Sequence, residues 1–294
     1  MDQQQHVMVA GDGRRLVVSE YGDPDGPLVF ALHGTPGVGL LEPKVIRDAH
    51  ARGLRLVAHD RPGYGDSTRL PGRRVDHVAA DVVAIADQLG MGRFAVWGVS
   101  GGGPHALACA ALLPDRVVAC AAVASPAPYE ADGLDWTEGM GELNVAEIEI
   151  LAQGADAHIE WLRSEAEGML TTDPADLRAG LATVLSEVDS EALTDELAAH
   201  LHENFRQAVR NGVEGWHDES VSSYEPWGIH LGSIEVPVQI WHGEQDRFVP
   251  ASHGRWLAER IPGVDARISA SHGHISLIGS CIPDVHAWVG ELLG

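Results

Sequence analysis

Cysteine is scarce. The chain has three, Cys109, Cys120 and Cys281, so they cannot all pair, and no C-x-x-C occurs. That excludes a zinc ribbon and a thioredoxin-like redox site, and it fits a reducing compartment. Two of the three lie inside apolar runs, where cysteine usually acts as a small core residue. Long hydrophobic runs are also missing. The longest, "ALACAALL" (106–113) and "VVACAAVA" (117–124), are eight residues each, against the roughly 18 needed to cross a bilayer. The start "MDQQQHVMVAGDGRR" has no apolar h-region, so no secretory signal is visible and a cytoplasmic location is expected. Positive charge is short as well: 20 Lys and Arg face 43 Asp and Glu, for a net charge of −23. Neither nucleic acid nor an anionic membrane suits such a chain; a small-molecule substrate is the expected partner. Composition does not specify an oligomeric state.

The deficit is uneven. Between Tyr129 and Gly228 there are 23 acidic residues and four arginines, which supplies −19 of the −23. The middle of the chain is therefore distinct in composition, most simply as a solvated acidic helical surface. What remains is ordinary for a globular protein: 294 residues, 45% hydrophobic and 21% charged, enough for one large domain or a core with an insertion.

The first third alternates strand and helix signals. "HVMVA" and "RRLVVSEYG" flank "GDG", a hairpin signature. "PLVFALHG" (27–34) and "LRLVAHDRPGYG" (54–65) read as buried strands, and apolar residues at Val78, Val82, Ile85, Ala86 and Leu89 recur at helical spacing. "FAVWGVSGGGPHALACAALLPDRVVACAAVASP" reads as strand, glycine-rich turn, helix and strand. Continuous apolar strands separated by helices predict an α/β fold, a mostly parallel sheet with helices on both faces. From 129 to 228 the strand signals stop. "ELNVAEIEILAQ" and "PADLRAGLATVLSEV" predict amphipathic helices. Strands resume with "VPVQIWHG" (236–243) and "ARISAS" (266–271), and a last helix is expected over about 283–293. The predicted organisation is core (1–128), helical cap (129–228) and core again (229–294).

The chemistry concentrates in "WGVSGGG". Gly98-Val99-Ser100-Gly101-Gly102 satisfies G-x-S-x-G between a predicted strand and a predicted helix, the context in which that pattern presents a nucleophile. A helix starting behind Ser100 aims backbone N–H groups at developing negative charge. No lysine follows the glycines, which disfavours phosphate binding. Acyl transfer also needs two donors for the oxyanion. The N–H of Gly101 would be one. The N–H of Thr35, in "LHGTPG" (32–37) after an earlier strand, would be the other, with His33 as a loop-stabilising residue.

Five segments, "HGTPG", "DRPGYGDS" (60–67), "GVSGGG", "GEQDRFVP" (243–250) and "HGHISL" (272–277), stand in the order and approximate spacing of α/β-hydrolase fold enzymes. The chain resembles that superfamily over 1–128 and 229–294, and within it the serine esterase and proline-iminopeptidase-like branch. Prolyl peptidases usually carry HGGPG and a tryptophan at the second G-x-S-x-G position. Thr35 and Val99 depart from both. The resemblance implies an order Ser…Asp…His, with Ser100 as nucleophile, Asp246 as orienting acid (Glu244 being its competitor) and His274 rather than His272 as base. It implies no cofactor. Metal is not expected either, because no H-E-x-x-H occurs and H-x-H supplies two ligands with no third evident. Trp136, Met140 and Leu143, near the cap entrance, are expected to face the site. The expected activity is hydrolysis of a carboxylic ester or lactone of a small, largely apolar substrate. The alternatives are a proline-iminopeptidase-like aminopeptidase, and a perhydrolase, lyase or small-molecule receptor on the same scaffold.

Overall fold

A computed structural model describes residues 4–294. Eight strands form one sheet: β1 (Gln4–Val9), β2 (Arg15–Gly22), β3 (Leu28–Leu32), β4 (Arg55–His59), β5 (Phe94–Val99), β6 (Val117–Val123), β7 (Val238–Gly243) and β8 (Asp265–Ser269). Their spatial order is β1-β2-β4-β3-β5-β6-β7-β8. Only the β1–β2 and β2–β4 pairings are antiparallel; β4, β3 and β5 through β8 run parallel. The hairpin around "GDG" is β1–β2, closed by Ala10 and Arg14.

Strand alternation explains the layers. Leu28, Phe30 and Leu32 of β3, with Phe94 and Val96 of β5, face one side, where they pack with α2 (Val78–Gln88) and α3 (Gly102–Leu112). Val29, Ala31, Ala95 and Trp97 face the other, against α1 (Pro43–Ala51) and α11 (Ile275–Leu293). Because both faces are covered, the central strands read as unbroken apolar runs rather than alternating ones. Helix α10 (Ala251–Ala258) joins β7 to β8 and buries Leu257 with the first face.

Between β6 and β7 the described chain contains helices and no strand: α4 (Glu142–Leu151), α5 (Ala155–Thr171), α6 (Leu177–Gly180), α7 (Glu187–Ala192), α8 (Asp195–Val209) and α9 (Glu214–Tyr224). Two predicted helices need correction. "PADLRAGLATVLSEV" does not form one helix: it breaks after Gly180, a residue that weakens helix interiors. The last helix starts at Ile275, eight residues before Pro283, and passes through that proline. Proline signals a helix start when read locally. Here the burial of Leu277, Cys281, Ile282, Val285 and Val289 against the sheet outweighs the hydrogen bond Pro283 cannot donate. No helix of the described residues is long and apolar enough to cross a membrane.

The connectivity places the site. From β3 the chain moves outward to β4, then returns to β5 on the opposite side of β3. In an open parallel sheet such a reversal leaves a crevice at the carboxyl ends of the two inner strands. The loop after β3 carries Thr35, and the turn after β5 carries Ser100.

Candidate active site

Ser100 has φ +53°, the left-handed region that a serine occupies at a cost. The turn is locked by the Ser100 N–H bonding to Val123 O and by Gly103 N–H bonding to Ser100 O, both at 2.8 Å. Its compactness demands glycine. A Cβ on Gly98 would stand 2.1 Å from Gly102 O, and one on Gly102 would stand 2.3 Å from Leu32 O. The backbone is thus bent so that Ser100 stands at the mouth of the crevice, with α3 starting behind it.

The β3 loop closes on this turn. A Cβ on Gly101 would lie 2.2 Å from Thr35 Oγ1 and 3.4 Å from Thr35 N, so the amides of these two residues belong to adjoining surfaces. The Thr35–Pro36 peptide is cis. Arg61, in the turn after β4, holds the loop from beneath. Its guanidinium donates to His33 O and, at 3.1 Å, to Gly34 O. His33 is buried and neutral: burial, then the Arg61 charge, pulls its pKa well below 6.5. Its Nδ1–H donates to Gly34 O at 2.8 Å and its Nε2 accepts the Arg61 N–H at 3.2 Å.

Arg61 is anchored in turn by Glu219 of α9, at 3.0 Å. Glu219 is fully buried and also pairs with Arg73 and, at 2.7 Å, with His105 Nε2. Burial alone would raise its pKa, but the two arginines and His105 push it well below the ordinary carboxylate value. Removing one partner of such a cluster strands buried charge. Glu219→Ala is expected to cost about 3–5 kcal/mol of folding stability, read as a lowered urea midpoint; an unchanged midpoint would show that the cluster does not anchor the loop.

Asp246 lies in the loop after β7 and is buried. Its Oδ1 accepts the N–H groups of Phe248 (2.9 Å) and Val249 (2.8 Å), while Oδ2 accepts from His274 Nδ1–H at 2.7 Å. These three bonds fix the carboxylate, and the carboxylate fixes the imidazole tautomer, leaving Nε2 as the free acceptor. The Phe248 ring stacks on His274 with centroids 4.6 Å apart. Burial lowers the His274 pKa, but the charge and hydrogen bond of Asp246, with Asp189 behind, outweigh it, so the net pKa is raised above 6.5. Of the two competitors, Glu244 pairs with Arg255 in an exposed position, and His272 Nδ1 is bonded to Ser269 Oγ at 2.6 Å. Neither joins this pair.

Ser100 and His274 line one cavity of about 210 Å³. Its core-side wall includes Trp97, Val99, Ile278 and Ile282, and Thr35 also lines it. The helical insertion supplies Leu181, Leu197, His200, Leu201, Asn204 and Phe205. Among the described residues no Lys or Arg lines it, and Glu42 is its one acidic residue. Asn204 pins α8 over the crevice by accepting the Val38 N–H (3.1 Å) and donating to Leu40 O (2.9 Å).

Trp136, Met140 and Leu143 do not line this cavity. The segment after β6 runs toward α10 instead. Trp136 Nε1–H donates to Ala127 O at 2.9 Å, and its ring packs edge-on against Tyr129, Tyr224 and His253. Met140 sits in a turn, and the Leu143 N–H donates to Thr183 Oγ1 at 3.3 Å. The insertion reaches the cavity chiefly through α8. Leu197, His200, Leu201, Asn204 and Phe205 stand at i, i+3, i+4, i+7 and i+8, a stripe visible in "ELAAHLHENF". The three cysteines are buried and free, and burial pushes the thiols of Cys109 and Cys281 up to about 12. Among the described residues no group of His, Cys, Asp and Glu is arranged to hold a metal.

Known proteins bear on this geometry in three ways. A bifunctional esterase/perhydrolase of Acinetobacter calcoaceticus is 26% identical, the match covering 81% of each chain. A 2-hydroxy-6-oxononadienedioate/2-hydroxy-6-oxononatrienedioate hydrolase of Burkholderia vietnamiensis is 27% identical over 92% of this chain and 88% of its own. Among solved structures, the esterase RhEst1 of a Rhodococcus superposes with a TM-score of 0.68 at 21% identity, covering 98% of this chain and 99% of that one. The family model for the alpha/beta hydrolase fold matches residues 27–280. With an eight-stranded, mostly parallel sheet and a serine turn at its crevice, the chain belongs to the alpha/beta hydrolase fold family.

Proposed function

We propose that the protein is a serine hydrolase that cleaves a carboxylic ester, or a lactone, of a small and largely apolar substrate. The observation that carries this reading is the convergence, on one apolar cavity, of Ser100 at the strained turn and His274 bonded to Asp246. Ser100 Oγ attacks the carbonyl carbon while its proton passes to His274 Nε2. The oxyanion takes the N–H groups of Thr35 and Gly101. The imidazolium then protonates the leaving alkoxide, and the ester becomes an acyl-enzyme. In the second half water replaces the alcohol, and the acid and serine are released. Asp246 accepts no proton; it orients His274 and stabilises the imidazolium. All proton and acyl transfers are carried by side chains, so the proposed reaction needs no cofactor.

The helical insertion acts in this reading as a cap, residues 129–228, whose α8 stripe forms the outer wall of the acyl site. An apolar wall without Lys or Arg suits an uncharged acyl group and disfavours a dicarboxylate. Leu201→Ala is therefore expected to shift kcat/KM by about tenfold in favour of longer acyl chains. In a p-nitrophenyl ester series, an unshifted preference would remove α8 from the acyl site, whereas Trp136→Ala should leave it unmoved.

The deciding experiment is a panel of short esters, lactones and prolyl anilides. Ester or lactone turnover well above anilide turnover is expected; the reverse would favour an aminopeptidase. The name of the Acinetobacter relative supports a second reading, in which peroxide rather than water takes the acyl group. Peracid formed from an ester and hydrogen peroxide, detected by mass, would establish it.

A further inference from the structure

A second carboxylate reaches the His274 loop from the insertion. Asp189 of α7 is fully buried, and it forms no ion pair with Lys, Arg or His among the described residues. It instead accepts four hydrogen bonds. Oδ2 takes the His274 N–H at 3.0 Å and the Ser186 hydroxyl at 2.8 Å; Oδ1 takes the N–H and the hydroxyl of Ser276, both at 2.9 Å. The loop is shaped to admit it: a Cβ on Gly273 would stand 2.2 Å from Asp189 Oδ2. Ser276 Oγ also accepts the Gly273 N–H at 2.8 Å, which closes a ring of bonds around the residue before His274.

We propose that Asp189 is a positioning residue for His274, holding the backbone of the base and placing a second negative charge on the loop that carries its ring. This rests on the reading of His274 as the base. Burial by itself would raise the Asp189 pKa, but the bonds from Ser276, His274 and Ser186 more than offset it, so the carboxylate is ionised at neutral pH. When the Ser100 proton moves to Nε2, both carboxylates stabilise the positive charge that appears on the ring. Asp246 meets the ring directly and Asp189 supports it from the α7 side; neither takes a proton. The other titratable groups nearby are His242, 3.6 Å from Asp246 and kept neutral by burial, and the exposed Arg247, which donates to Leu185 O. Because α7 lies between β6 and β7, these bonds tie the helical segment directly to the His274 loop.

The test is an NMR titration of the His274 ring, identified by its loss in His274→Gln, in the wild type and in Asp189→Asn. The pKa of His274 is expected to fall by roughly half a unit or more. The acid limb of kcat/KM should move down with it, and kcat should fall about tenfold with KM within about twofold. An unmoved pKa in a folded Asp189→Asn protein overturns the proposal. Should that variant not fold, Ser276→Ala decides: it keeps the charge but removes one support of the loop, and kcat is expected to fall about threefold or more at unchanged KM. An unchanged kcat then overturns the proposal. The titration needs no substrate, so its failure stays distinct from that of the ester reading, which fails if Ser100→Ala retains turnover.

Discussion

Ser100→Ala is expected to lower kcat on a short p-nitrophenyl ester by about 10⁴–10⁶ while leaving the fold intact. The magnitude follows from what the hydroxyl does. Without Oγ there is no acyl-enzyme, and the remaining oxyanion donors can assist only direct attack by water. The fold should survive because the serine hydroxyl is not part of the core, and alanine at φ +53° bears a strain comparable to that of serine. Labelling by a fluorophosphonate probe should vanish in the same variant. Retained turnover, or labelling elsewhere in the chain, would remove Ser100 from the reaction.

The second large effect is expected at the proposed base. His274→Ala is expected to cost a comparable factor and Asp246→Asn about 10⁴, whereas His272→Ala should cost little, its ring being bonded to Ser269. The pH profile carries the same information with a definite sign. In the proposed reaction only neutral imidazole takes the serine proton, so activity is expected to fall about tenfold per unit below the His274 pKa. Asp246 and Asp189 raise that pKa above 6.5 against the opposing effect of burial. The acid limb should therefore begin above 6.5, and it should move downward in Asp246→Asn. A flat kcat/KM from pH 5 to 8 would contradict a histidine base.

The sheet and the serine turn were legible because their causes are local. Strands β3 and β5 are apolar on both sides since both faces are covered, and G-x-S-x-G marks a bend that Gly98 and Gly102 make sterically possible. Asp246 and His274 were legible through segment order, and they meet at 2.7 Å although 28 residues separate them. The insertion was less readable. Trp136 draws attention as a large aromatic near its entrance, but its ring finds Tyr129, Tyr224 and His253, and its N–H finds Ala127 O. The α8 stripe that does line the cavity looks like any amphipathic helix face until something shows which side the core lies on. Glu219 carries no local mark, and Asp189 carries only the helix-start spacing Ser186-x-x-Asp189. Each is one acid among the 23 between Tyr129 and Gly228, and only tertiary contact distinguishes the buried, bonded carboxylate from its solvated neighbours.

The proposed reaction passes through a covalent acyl intermediate on Ser100. Rapid-quench mass analysis during turnover of an activated aryl ester, followed by peptide mapping, tests it most directly. A transient mass increase equal to the acyl group is expected on the peptide containing Ser100, formed in a burst with the released phenol and absent from Ser100→Ala. Turnover of the ester with no acylated peptide, or acylation at another residue, would contradict it.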